Sequence, residues 1–205
     1  EVDLVVKLDT DALVLGPFAA ELARTFAGDP GLGVVGRYRL GAYGDRRDFR
    51  PAAGAVLRAA LPFRVYRRDG RRHVVLPAPR QTLRVHSRIW AARRHGYQLG
   101  EHCLGGVYAV SGALLGALAA DGALERPDDW TASGLSEDHL VGLLARAAGF
   151  SLDDSPLFGA SLEGLPAPPA KLVADGFAFT HSVKGDREAE LRAEFAALKA
   201  VLPSR

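Results

Sequence analysis

The stretch Leu4-Val5-Val6-Lys7-Leu8-Asp9-Thr10-Asp11 decides how the rest of the chain is read. Its apolar run has the length of a strand and ends in two carboxylates at i and i+2. Side chains two apart on a strand point the same way, so Asp9 and Asp11 are expected to share a face. Paired hard oxygens at a strand end suit Mg²⁺ or Mn²⁺, ions that keep waters and share their remaining positions with substrate phosphates. The same spacing also occurs in solvated turns, and the motif alone does not separate the two.

Working outward, Gly16-Pro17 predicts a helix carrying Phe18, Leu22 and Phe26 on one face, with proline in its first turn. Gly28-Asp29-Pro30-Gly31 stops it, and Gly33–Gly36 reads as a short buried strand. Strand, helix and strand in that order predict an α/β fold with a parallel or mixed sheet flanked by helices. Further on, a short helix is expected at 55–60. A hairpin is expected where Asp69-Gly70 separates residues 63–66 from 73–76, and a helix at 80–95. Gly105-Gly106 leads into the apolar run Val107–Ser111 and signals close backbone approach or a special turn. Ser111 is the expected N-cap of the next helix, and Ser136 caps another that opens with Glu137-Asp138 and stops at Gly149. Residues 151–174 read as loop. Phe177–His181 reads as a strand ending in histidine, and a final amphipathic helix turns Leu191, Phe195, Leu198 and Leu202 inward.

The 205 residues are 48% hydrophobic, enough to bury a core as one domain. Glu1 opens the chain in what reads as a buried strand, so further chain is expected upstream. No apolar run reaches membrane-spanning length. The single Cys103 excludes an internal disulfide framework and a multi-cysteine zinc site, and it fits a reducing cytoplasm. A net charge of +2 hides a lopsided distribution. Between Arg37 and His95 lie sixteen arginines, no lysine and three acids, an excess of thirteen positive charges against a deficit of eleven elsewhere. Such a block is expected to expose Arg46, Arg47, Arg67, Arg68, Arg71 and Arg72 toward an anionic polymer or membrane surface. The alternative is an ordinary solvated surface. The block carries no recognisable motif for a specific nucleic acid and few aromatics.

The order of the pieces resembles a nucleotide-sugar glycosyltransferase of the GT-A fold. The matching stretches are Lys7-Leu8-Asp9-Thr10-Asp11, Gly105-Gly106-Val107-Tyr108-Ala109-Val110-Ser111, Glu137-Asp138, and Phe179-Thr180-His181-Ser182-Val183-Lys184. The pattern is most similar to the beta-1,3-galactosyltransferase and fringe group, and similar in order to inverting family-two glycosyltransferases. It covers residues 2–35 and 101–184 and leaves out the arginine-rich middle.

The resemblance implies one partial catalytic domain over residues 1–205, without the strand–helix units that bind the nucleotide base. Residues 1–36 would carry the metal, 37–100 the arginine-rich insert, 101–185 the acceptor and catalytic part, and 186–205 a closing helix. It implies that Asp9, Asp11 and His181 hold Mn²⁺ or Mg²⁺ on a donor diphosphate. Lys7, Thr10, Gly105, Gly106 and Lys184 would line the donor and acceptor, and Arg187 could add charge near the phosphates. Asp138, with Glu137 beside it, would be the catalytic base. The reaction implied is sugar transfer, with inversion, from a nucleotide-sugar to a glycan or lipid-linked acceptor. Thr10 replaces the acid usual between the two aspartates, and the cysteines of Golgi relatives are absent. Two other readings stay open. One is a phosphohydrolase of the haloacid dehalogenase type with Asp9 as nucleophile, although Leu13 stands where that family has Thr or Val. The other is a non-enzymatic basic module.

Overall fold

In the computed structural model, which describes residues 3–68, 71–76, 79–161 and 164–201, the opening apolar run is a strand that stops one residue short of Asp9. The elements follow in the order β1 (Leu4–Leu8), β2 (Leu13–Val14), α1 (Ala19–Gly28), β3 (Leu32–Gly36), α2 (Arg50–Ala59), β4 (Arg64–Arg68), β5 (Arg71–Val75) and α3 (Pro79–Arg94). Then come β6 (Val107–Ser111), α4 (Gly112–Ala120), α5 (Pro127–Thr131), α6 (Glu137–Ala147), β7 (Ser151–Asp154), β8 (Phe158–Ala160), α7 (Pro169–Ala174), β9 (Phe179–His181) and α8 (Glu188–Val201). The chain divides into two compact units that interleave along the sequence. The first comprises Glu1–Arg47, Cys103–Gly112 and Leu152–Arg205, and the second Asp48–His102 and Ala113–Ser151.

The first unit is α/β with two sheets. One has the order β1-β6-β3-β7, and β1 and β3 each run antiparallel to β6. The strand–helix–strand start therefore does not place β1 beside β3, because β6 arrives from far along the chain and separates them. As the edge strand, β1 leaves Val5 and Leu8 exposed, which corrects the expectation of a buried opening strand. The other sheet is mixed: β9 pairs antiparallel with β2 and parallel with β8. The core unites Leu22, Val35, Val107, Ala109, Phe158 and Phe179, with Phe18 and Phe26 against it. Phe158 stacks on Phe179 at 5.0 Å between centroids. Pro17 lies outside the helix it was expected to start, since α1 begins at Ala19.

Residues 151–174 are not loop: they supply β7, β8 and α7. Their short apolar stretches are interrupted by prolines and acids, which masks any period. Asp154 explains one of those acids. Its carboxylate accepts the backbone N–H groups of Tyr38 (2.8 Å), Arg39 (3.0 Å) and Leu40 (3.1 Å), fixing the turn after β3. The closing helix buries Phe195, half-buries Leu191 and Leu198, and packs with α7 residues around Leu172. Leu202 lies outside the described residues.

In the second unit α3 and α6 pack through Ala92, Tyr97 and Leu143. Helix α2 starts at Arg50, five residues before the expected 55–60, with Pro51 in its first turn. The expected hairpin forms with the register Tyr66↔His73 and Arg68↔Arg71, and the intervening Asp69-Gly70 lie outside the described residues. Among the described residues no helix is long and apolar enough to cross a membrane.

Candidate functional site

Asp9 and Asp11 do not sit on a strand. They occupy the turn that leaves β1, closed by the Ala12 N–H on the Asp9 carbonyl at 3.0 Å, while Asp9 N–H still bonds Gly106 O at 3.0 Å. The turn, rather than strand alternation, brings the carboxylates to one side. There they meet His181, the last residue of β9. His181 Nε2 lies 3.1 Å from Asp11 Oδ1 and 3.8 Å from Asp9 Oδ2. One donor atom from each of the three lies within 4.8 Å of the others.

The surroundings hold this arrangement. His181 Nδ1 donates to the Ser161 carbonyl at 3.1 Å, which turns Nε2 toward the carboxylates. Gly106 makes room for the ring, since a Cβ there would sit 2.3 Å from His181 Cγ and Nδ1. The glycine pair is expected to let backbone approach donor and acceptor, and Gly106 lets it approach the histidine as well. Gly106→Ala should displace His181 and weaken Mn²⁺ binding by about 10–100-fold, the range for loss of a ligand's support. Calorimetric titration with Mn²⁺ checks this, and unchanged affinity would remove Gly106 from the site.

Lys7 Nζ bonds Asp9 Oδ1 at 2.6 Å and also the Gly105 carbonyl, so Lys7 positions Asp9 and ties it to the glycine segment. Ser182 Oγ donates to Asp11 Oδ2 at 3.1 Å, and Lys184 Nζ lies 3.2 Å from the same oxygen. Burial pushes the Asp11 carboxyl up, but Lys184, His181 and Ser182 outweigh it and hold it below its ordinary range. Asp11 is thus ionised at neutral pH, as a metal ligand must be. Two carboxylates and an oriented imidazole fit a divalent ion such as Mn²⁺ or Mg²⁺. A cavity of about 790 Å³ lies beside them, lined by Ser182, Lys184, Arg187, Pro168 and Glu194 among others. Thr10 is exposed, and its carbonyl accepts from Arg192 Nη2 at 3.0 Å.

The second unit holds the helix acids. Glu137 is exposed and Asp138 is turned inward, as expected for neighbours about 100° apart on a helix. Ser136 stands at the N-cap position but makes no side-chain cap bond; its hydroxyl donates to Asp138 Oδ1 instead. Asp138 Oδ1 also accepts the His139 N–H at 2.8 Å. His102 Nε2 lies 3.7 Å from Asp138 Oδ2. Burial raises the Asp138 pKa, while Ser136, the charges of His102 and His139, and the His139 amide bring it below its ordinary value of 3.8.

Sequence reasoning missed Ser161, Ser182, His102 and His139. A backbone carbonyl such as that of Ser161 carries no side-chain signal. The other three each adjoin a residue or motif already singled out, and that adjacency was the available signal.

The arginine block is not one surface. Arg37 is buried, reaches the Phe158 carbonyl and lies over the Phe177 ring at 5.4 Å. Arg47, expected to be exposed, is half-buried and donates to the Arg37 and Tyr38 carbonyls at 2.7 Å each. Arg84 bonds Asp129 and the Gly122 carbonyl, and Arg88 pairs with Asp121. These arginines bond carbonyls and acids of the chain itself. Arg46 is exposed, and the side chains of Arg67, Arg68, Arg71 and Arg72 lie outside the described residues. On α3, Arg80, Leu83, His86, Trp90, Arg93 and Arg94 are exposed, with Leu83 at 67% and Trp90 at 66%.

No family model, curated protein or solved structure matches the chain.

Proposed function

We propose that this protein is a metal-dependent glycosyltransferase that moves a sugar from a nucleotide-sugar donor to an acceptor hydroxyl, with inversion, on a GT-A-like fold. The observation that carries the reading is the convergence of Asp9, Asp11 and His181 from opposite ends of the chain. Their donors would hold Mn²⁺ or Mg²⁺, which when bound neutralises charge on a diphosphate leaving group. The phosphohydrolase alternative gives His181 no role.

The chain's own residues account for binding and proton transfer. Lys7 and Gly106 keep Asp9 and His181 in place. Lys184 and Arg187 line the neighbouring cavity and supply positive charge suited to phosphates. Asp138 is the proposed base, ionised and oriented by Ser136, able to take the acceptor hydroxyl's proton as the new bond forms. Glu137, exposed on the other side of the turn, is not given that task.

The acceptor-side surface is assigned to α3, whose sequence has no acid and whose exposed face alternates Leu83 and Trp90 with Arg80, Arg93 and Arg94. That mixture suits the boundary of an anionic membrane facing the cytoplasm, where each basic side chain contributes about 1 kcal/mol. Trp90→Ala with Arg93→Gln and Arg94→Gln should abolish sedimentation with phosphatidylserine vesicles at low salt. Unchanged sedimentation would return the face to ordinary solvated surface.

The experiment for the reaction is a panel of uridine- and guanosine-diphosphate sugars incubated with the intact protein, with Mn²⁺ or with chelator. The reading predicts slow donor hydrolysis that needs the metal. Mg²⁺-dependent release of phosphate from nitrophenyl phosphate would favour the phosphohydrolase instead.

A further inference from the structure

The second unit carries its own group of metal-ligating side chains. His102, Asp138 and His139 each offer a donor atom within 4.8 Å of the others. The group draws on two chain segments. His102 precedes β6, and Asp138 and His139 lie in the first turn of α6. The rings of His102 and His139 meet edge to face, 4.3 Å between centroids.

Three features hold this group in place. His102 is only 7% exposed, and its Nδ1 lies 2.8 Å from the Gly100 carbonyl. A carbonyl only accepts, so Nδ1 donates there and Nε2 is the ring nitrogen turned toward Asp138. Asp138 Oδ1 is bonded by Ser136 and the His139 amide, and Oδ2 is the oxygen toward His102. Finally, α6 lies directly on the segment bearing His102. A Cβ on Gly142 would fall 2.5 Å from the Glu101 carbonyl, and Arg146 Nε clamps the fully buried Glu101 at 2.6 Å. The His102 Nε2 to Asp138 Oδ2 separation of 3.7 Å is too long for a hydrogen bond. It is near the distance between two ligands of a tetrahedral ion with bonds of about 2.0–2.2 Å.

We infer that His102, Asp138 and His139 form a transition-metal site, distinct in chemistry from the Asp9–Asp11–His181 group, that takes Zn²⁺ with an open fourth position. Two imidazoles and one carboxylate suit zinc, whereas two carboxylates and one imidazole suit a harder ion. The inference does not need the glycosyltransferase reading. If that reading also holds, zinc at this site engages the Asp138 carboxylate and inhibits transfer.

The test uses Co²⁺ as a spectroscopic stand-in for zinc, in the Asp9→Ala/Asp11→Ala double variant so that the other group is silent. One equivalent should bind, with the intense visible bands of a four-coordinate ion, and Zn²⁺ should displace it. Adding either His102→Ala or His139→Ala should weaken binding by more than the ~10–100-fold typical of supporting residues. His139 is at the edge of the group, so its variant decides the matter if His102→Ala fails to fold. Absence of visible bands, or affinity unchanged by His139→Ala, would overturn the site. Neither result bears on Mn²⁺ at Asp9, Asp11 and His181.

Discussion

Asp11→Ala is expected to abolish Mn²⁺-dependent donor binding, with metal affinity falling by more than about 100-fold. Loss of an outer-shell partner alone typically costs ~10–100-fold, and Asp11 is proposed as a ligand itself. The change reaches beyond one oxygen. Asp11 Oδ1 faces His181, while Oδ2 takes Ser182 and Lys184. Removing the carboxylate leaves a lysine and an imidazole beside Asp9 alone, and a divalent cation next to an uncompensated lysine is disfavoured. Calorimetry with Mn²⁺, repeated with a nucleoside diphosphate present, measures both losses. Lys184→Gln separates charge from ligation: it should leave Mn²⁺ binding intact or tighter and weaken the diphosphate. Normal metal binding by Asp11→Ala would remove the residue from the site.

The second large effect belongs to Asp138. Asp138→Asn keeps the size of the side chain and a hydrogen-bonding oxygen but cannot accept the acceptor's proton. General-base loss typically costs ~10²–10⁴ in rate, so transfer should fall by that factor while metal and donor affinity stay near normal. Glu137→Gln should transfer normally, since Glu137 is exposed and turned about 100° away. The reverse pattern would exchange the two roles, and no effect from either would leave them as helix-terminal acids. Folding lowers the Asp138 pKa, so its ionised form adds stability above the unfolded value of 3.8. That contribution fades as the pH falls through the folded value. The sign at neutral pH is therefore favourable, and Asp138→Asn should be slightly destabilising as well as slow.

Much of the site was legible because its residues stand next to structural punctuation. Asp9 and Asp11 follow an apolar run, His181 ends one, and Gly105-Gly106 precedes another. What the local pattern could not give was the partner of each element. β6 separates β1 from β3, a pairing that depends on residues about a hundred positions away. The same limit hid the purpose of Gly106, which is shaped by the ring of His181 rather than by its neighbours. The arginine block misled for a related reason. Charge density says where positive groups are abundant, but not which of them turn inward to carbonyls, as Arg37 and Arg47 do. Short strands among prolines and acids, as in 151–160, have too few residues to show a period.

The most direct measurement of the central claim is electron–nuclear double resonance on Mn²⁺ bound to the intact protein, with and without uridine or guanosine diphosphate. The account predicts a nitrogen coupling that disappears in His181→Gln, and a phosphorus coupling that appears when the diphosphate is added. A nitrogen signal that survives His181→Gln, or bound Mn²⁺ without phosphorus coupling at saturating concentrations of both nucleotides, would contradict it.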